Sequence, residues 1–329
     1  MRALGIGAVR EAIRWPLVDQ GGGRFDWSTL DVVLDALAEH ELTPLWDLCH
    51  FGLPDGCSPF TPECRERFVA YSRAVAEHVL PRTHAPRFFT PVNEITFFAG
   101  AATDRRWMYP FAPGRYQELK LALCRMAIEG TRAIREVDPT ARMLHTDPLI
   151  HEVAPPDDPQ LVHDARYHES EQQYEAWDIL AGRSRPELGG SEETLDIVGL
   201  DIYHLNQAEI GPDGSRTILE PRDPRRTPIA HLLRQVWERY QRPIVIAETS
   251  GYRDQRASWL RMVMEESLAA LGDGVDLRGV CLYPFVDIPE WVSGQPAKIG
   301  VYDLAEGSQR VPCTPYVDEI KRWQSHLTH

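Results

Sequence analysis

Two glutamates in this chain end apolar runs: Glu94 closes RFFTPVNE and Glu248 closes IVIAE. In both, aromatic or β-branched residues precede the carboxylate, the pattern of a buried strand that delivers a polar group at its end. A carboxylate held beside a core costs free energy unless it is paired or put to use. Two such groups facing each other are the equipment for glycoside hydrolysis, one as general acid and base and the other as nucleophile. The plainer reading is that each glutamate pairs with an arginine at the rim of a sheet.

Other strand ends carry polar groups of the same kind: Arg10 and Arg14, His50, Asn93, Asp147, Asp201 with Tyr203, and Tyr283 with Asp287. Asn93 is one of only two asparagines in the chain, which gives weight to its place before Glu94. Metal and cofactor signatures are weak. No two cysteines are spaced C-x-x-C, and His163 and His168 stand five apart, so they do not form the i, i+4 pair of a zinc helix. GIGAVR has no third glycine and follows no strand. The expectation is an enzyme with neither metal nor organic cofactor.

The elements that must position these residues are legible as alternating strands and helices. Strands are predicted over 8–13, 44–49, 87–92, 141–146, 196–202, 243–247 and 279–285. Helical stripes lie between them: Leu30, Val33, Leu34 and Leu37 after a cap at Ser28; Phe68, Tyr71, Val75 and Val79 after Thr61-Pro62; and Leu119, Leu123, Met126, Ile134 and Val137. Such alternation over the whole length implies an α/β fold with a mostly parallel sheet. The nearest closed solution is a (β/α)8 TIM barrel with seven strands recognisable, forming a single domain over 1–329. The segment around 151–190, rich in Pro, Asp, Glu and Arg, reads as an irregular insertion with a short helix near Tyr174 to Leu180, a lid or a spacer.

Charge and composition narrow the partners. With 35 basic against 49 acidic residues the formal charge is −14, which disfavours a nucleic-acid binder, and the arginine-rich PRDPRR reads as a solvated loop. No stretch approaches the length of a membrane span, and the first residues lack the apolar core of a signal peptide, so a soluble cytoplasmic protein is expected. Six dispersed cysteines read as core residues or free thiols rather than a disulfide scaffold. Oligomeric state is not legible.

The order of the motifs resembles glycoside hydrolase family 1, the β-glucosidase family of the (β/α)8 retaining glycosidases. VREAIRWP is similar to that family's arginine-led strand, LCHFGLP to its His-Trp-Asp-Leu-Pro, and TPVNE to its Asn-Glu-Pro acid/base segment. FAPG, DIVGLDIY, AETSG and YPFVDIPEW then resemble its Ala-Pro-Gly, its Gly-x-Asn-Tyr-Tyr strand, its Glu-Asn-Gly nucleophile segment and its Trp-Ser-x-x-Asp-Asn-Phe-Glu-Trp. The resemblance implies Glu94 as acid/base and Glu248 as nucleophile, with carboxylates ~5 to 5.5 Å apart and retained stereochemistry. It also implies Arg10 beside Glu248, a hydrogen bond from Tyr203 to Glu248, and a raised pKa on Glu94. Asn93 would meet the sugar's 2-hydroxyl, His50 its 3-hydroxyl, and Glu290 with Trp291 the more distant hydroxyls. A satisfied rim histidine and a packing tryptophan are the plainer readings of His50 and Trp291.

Departures from the family pattern are equally specific. Tyr283 stands where the family has its sugar-stacking tryptophan, and Pro284 where the family has a serine after a non-proline cis bond, so the resemblance implies a cis Tyr283-Pro284 peptide, which proline makes less costly. Ile95, Phe51 and Asp201 replace the family's proline, tryptophan and asparagine. The family's first strand has no counterpart, so either the chain is a shortened reading of a longer protein or the barrel is incomplete, with a gap between its first and last strands. Three functions fit: a retaining β-glycosidase acting on a small glucoside- or galactoside-like substrate; a transglycosidase or hydrolase of a modified sugar in the same clan; or a sugar-binding barrel without catalysis.

Overall fold

The structure is a computed structural model that describes residues 1–220, 222–290 and 293–327. Seven strands form one sheet in chain order: β1 (Ala8–Ala12), β2 (Thr43–Asp47), β3 (Phe88–Thr90), β4 (Arg142–Pro148), β5 (Ile197–Asp201), β6 (Ile244–Thr249) and β7 (Leu277–Leu282). Each of the strands expected from the sequence is present, displaced at its ends by a few residues. β7 stops at Leu282, two residues before Pro284, which has no N–H to offer a ladder. The Tyr283-Pro284 peptide is cis, as expected.

By contact the chain divides into two compact units, Met1–Asp147 with Glu175–Val198, and Pro148–Tyr174 with Gly199–His329. In the first, β1 pairs in parallel with β2, β2 with β3 and β3 with β4; Arg10 stands opposite Leu45, Leu45 opposite Phe88 and Phe88 opposite Arg142. Its longer helices are α1 (Ser28–Glu39), α2 (Pro62–Val79), α3 (Ile95–Thr103) and α4 (Tyr116–Val137).

Apolar periodicity explains these helices. Leu30, Leu34 and Leu37 of α1, Phe68, Tyr71, Val75 and Val79 of α2, and Leu119, Leu123, Met126 and Ile134 of α4 are buried, one stripe per helix. Burying each large side chain is worth roughly 1.5–3 kcal/mol. Trp15 packs edge-on against Phe68 at 5.1 Å and stacks on Tyr71 at 5.6 Å. A Cβ at Gly130 of α4 would lie 2.9 Å from the Phe68 ring, so only glycine allows this approach of α4 to α2. Thr61 caps α2 as read from the sequence, its hydroxyl accepting from the Cys64 N–H. For α1 the cap shifts: Ser28 is the first helical residue and the Asp26 carboxylate accepts its N–H.

In the second unit β6 pairs in parallel with β7, with a register irregularity between Val280 and Leu282. Helices α5 (Ile229–Tyr240) and α6 (Arg256–Gly272) belong to it, with a small sheet of His151–Val153, Gln207–Ile210 and Arg216–Ile218. The segment around 151–190 is more regular than expected. Besides the anticipated short helix, Glu175–Leu180, it holds a longer one, Pro159–Ser170, started by Asp158, whose side chain accepts the N–H groups of Gln160 and Leu161 at 3.1 Å. Asp-Pro before an amphipathic stretch is a cap signal that charge density obscured.

One expectation needs correcting. Cys57 and Cys64 are joined in a disulfide, so they are neither free thiols nor simple core residues. The loop after β2 turns back onto the first turn of α2 and brings their Cα atoms to 5.0 Å, a closure that residue spacing alone does not announce. Among the described residues no helix is long and apolar enough to cross a membrane.

Candidate active site

In the first unit the ends of β1 to β4 assemble a buried polar cluster. Asp47, the last residue of β2, takes the Arg10 guanidinium at 2.7 Å and the His50 imidazole Nδ1 at 2.9 Å on the same oxygen. Arg10 and Asp47 are only 7% and 2% exposed, so neither charge is tolerable there alone. Because an ionised carboxylate only accepts, Nδ1 of His50 is the donor in this contact. Arg10 Nη2 also donates to the Asn93 side-chain oxygen Oδ1, which accepts from the Thr146 hydroxyl at 2.7 Å as well. Asn93 is fully buried, and its amide Nδ2 has no hydrogen-bond partner among the described residues. A buried donor of this kind is costly unless something else accepts from it.

Glu94 follows directly. It is buried, and its backbone lies in the left-handed region at φ 42° and ψ 61° as the residue that opens α3. Its carbonyl accepts the Phe98 N–H at 2.7 Å, while its side chain makes no capping bond to the helix. A non-glycine residue held there costs on the order of 1–3 kcal/mol, which the surroundings must offset.

The second unit carries the other glutamate. Glu248 lies within β6, buried, and its carbonyl accepts the Ile202 N–H at 2.9 Å. The Tyr203 hydroxyl donates to Glu248 Oε2 at 2.7 Å. A carboxylate oxygen of Asp201 lies within 4.8 Å of one from Glu248, and both residues are buried. Offering oxygen alone, this pair suits a hard cation better than zinc. The next residue, Thr249, donates to the Ile202 carbonyl at 2.6 Å and accepts from the Trp259 indole at 2.8 Å, tying β6 to the end of β5 and to α6.

Tyr283 is half-buried in the same unit, its N–H donating to the Thr249 carbonyl at 3.1 Å. Glu290 is exposed and accepts from the Ser293 hydroxyl at 2.8 Å and from Tyr252 at 3.5 Å. Trp291 lies outside the described residues. Asp287 accepts the N–H groups of Gly300 at 2.9 Å and Ile299 at 3.2 Å and the Lys298 ammonium at 3.0 Å. Burial pushes its carboxyl up, but these donors outweigh it and hold the pKa below the ordinary value.

The structure thus brings Arg10, His50 and Asn93 together through Asp47 and Thr146, and Tyr203 together with Glu248. Sequence reading missed Asp47 and Thr146. Asp47 sits in PLWDLCH three residues before His50, a spacing that was there to be read; Thr146 had no local signal.

No family model matches the chain. The fold is that of the (β/α)8 glycosidases, with seven of its strands described here. Among solved structures, the family 1 β-glucosidase of Thermotoga maritima has a TM-score of 0.83 at 19% identity, covering 99% of this chain and 84% of that one, and its complex with glucoimidazole has the same score. In sequence the chain is 22% identical to β-glucosidase A of T. maritima over 93% of its length and 80% of the relative's. A stretch covering 21% of the chain is 33% identical to the aryl-phospho-β-D-glucosidase BglC of Bacillus subtilis.

Proposed function

We propose that the protein is a retaining β-glycosidase, β-glucosidase- or β-galactosidase-like, that hydrolyses O-glycosidic bonds with Glu248 as nucleophile and Glu94 as acid/base. The observation that carries this reading is the match to a β-glucosidase over 93% of the chain. Two buried glutamates, Glu94 at the start of α3 and Glu248 in β6, support that match by their chemistry. The substrate is a small glycoside.

In the first step a Glu248 oxygen bonds to the anomeric carbon as the bond to the leaving oxygen breaks, and Glu94 passes its proton to that oxygen. In the second, Glu94 takes a proton from water, the water oxygen bonds to the anomeric carbon, and the Glu248 ester breaks. Tyr203 holds Glu248 Oε2 so that the other oxygen is presented to the sugar. Arg10, with its fixed charge, favours ionised carboxylates around it. For Glu94 a raised pKa is part of the proposal, since it must enter the first step protonated.

Asn93 Nδ2 supplies a donor for the 2-hydroxyl and His50 Nε2 an acceptor for the 3-hydroxyl. Each penalises a sugar that leaves it unpaired. Tyr283 offers the sugar a ring to stack on, and Glu290 and Trp291 serve the distant hydroxyls. A cytoplasmic site of action belongs to the same proposal, and cell fractionation tests it.

The deciding experiment is trapping with a 2-deoxy-2-fluoro-β-glucoside, followed by peptide mapping. Label on Glu248 is the expected result. Folded protein that turns over no aryl β-glucoside or galactoside and takes no label overturns the reading.

A further inference from the structure

In an ordinary helix N-terminus the cap residue is extended, and its side chain accepts the N–H two or three places on. Glu94 occupies that position at α3 and does neither. The missing cap is provided by the next strand. Asp147, at the end of β4 and 1% exposed, accepts the Thr96 N–H with its two oxygens at 3.0 and 3.2 Å, and the Thr96 hydroxyl at 2.5 Å.

We infer that Asp147 is a positioning residue for Glu94: by capping α3 in trans it holds the backbone at Glu94 in the left-handed conformation and releases the Glu94 carboxyl from capping. The inference rests on the reading of Glu94 as acid/base. Two features of the surroundings fit it. Negative charge is favoured at a helix N-terminus, where N–H groups converge. Behind Asp147 stands Lys120, a fully buried lysine of α4 whose ammonium pairs with Glu175 at 2.8 Å. Glu175 in turn accepts from Gln117 at 2.8 Å, so the lysine is fixed in place.

Burial pushes the Asp147 carboxyl up to about 6, in spite of the Thr96 hydroxyl and Lys120, which pull it down. An apolar residue there would cost less than a carboxylate so deeply buried, which is why a task for it is the better account. Tyr116, Cys124 and Glu175 complete the titratable groups that face it and Lys120.

The test compares kcat/KM for an alkyl β-glucoside, whose leaving group needs a proton, and for 2,4-dinitrophenyl β-glucoside, whose leaving group does not. Asp147→Ala is expected to lower the first about 30- to 100-fold and the second less than about threefold, since a misplaced acid loses that much without harming the nucleophile. For the activated substrate kcat and KM should fall together, because the second step still needs Glu94. Asp147→Asn, which keeps an acceptor oxygen, should recover most of the alkyl activity, and it stands in if the alanine variant does not fold. Independently of turnover, amide exchange at Thr96 should quicken at least about tenfold in Asp147→Ala, with the later turns of α3 unchanged.

Equal losses on both substrates, no loss on either, or unchanged exchange would overturn the inference. Glu94→Gln is the control that separates the two ideas. If it shows the leaving-group split and Asp147→Ala does not, only the positioning role falls; if Glu94→Gln shows no split, the acid/base reading falls with it.

Discussion

Glu94 stands outside any strand, in the left-handed region at the mouth of a helix, whereas Glu248 is an ordinary residue of β6. A side chain in a strand has its direction set by the pleat and by the ladder on either side. Glu248 is held that way, with the Ile202 N–H on its carbonyl and the Tyr203 hydroxyl on its carboxylate. Glu94 has no such ladder: it opens α3, whose first turn is capped by Asp147 from β4. The same residue type is therefore placed by the ladder of a strand in one case and by the start of a helix in the other. Remote substitutions should disturb Glu94 more readily than Glu248.

Three measurements break or sharpen this contrast. The largest effect belongs to Glu248→Ala, expected to lower kcat on aryl β-glucosides by about 10⁴-fold or more while leaving the thermal transition nearly unchanged, as for removal of a covalent nucleophile. A loss below about tenfold would remove Glu248 from the chemistry. Tyr203→Phe comes next. Deleting one hydrogen bond to a charged group costs about 1.5–3 kcal/mol, so kcat/KM should fall roughly 10- to 100-fold, with activated and alkyl glucosides affected alike. An unequal effect would mean that Tyr203 acts on the leaving group rather than on the nucleophile.

The smallest effect is one of stability and concerns the other region. Asp147 keeps its proton more tightly when folded, at about 6 against an ordinary 3.8. The stability this gives is fully present below 3.8 and is lost as pH rises through 6. Relative to Asp147→Asn, which does not titrate, the wild type should therefore weaken from pH 4 to pH 7 by at most about 3 kcal/mol, at about 1.4 kcal/mol per pH unit. Denaturant unfolding of both proteins across that range checks it. A pH-independent difference would show that Asp147 is not the buried acid described. His145, on the same strand and also fully buried, has the opposite sense: burial lowers it to about 4, and its contribution is lost as pH falls through that value. Both proteins contain His145, so the comparison cancels it.

Much of the fold was legible because its signals are local. Apolar runs of strand length marked all seven strands of the sheet, and the polar residues closing those runs gave the candidates for the site. Glu94, Glu248, Asn93, His50 and Tyr203 were all read that way, and the cis Tyr283-Pro284 peptide was expected from the family resemblance at that position. The helix Pro159–Ser170 was legible in principle, through Asp158-Pro159, and was missed because a charged, proline-bearing stretch resembles a loop.

Partnerships were not legible in the same way. That one Asp47 oxygen serves both Arg10 and His50, that Asp147 caps a helix begun 52 residues earlier in the chain, and that Cys57 meets Cys64 are decisions of tertiary structure. The periodicity of side chains along a strand or helix is set by backbone geometry over a few residues, so the sequence alone determined which groups reach the strand ends. Which of those groups touch depends on how strands separated by tens of residues are laid side by side, and only the folded chain settles that.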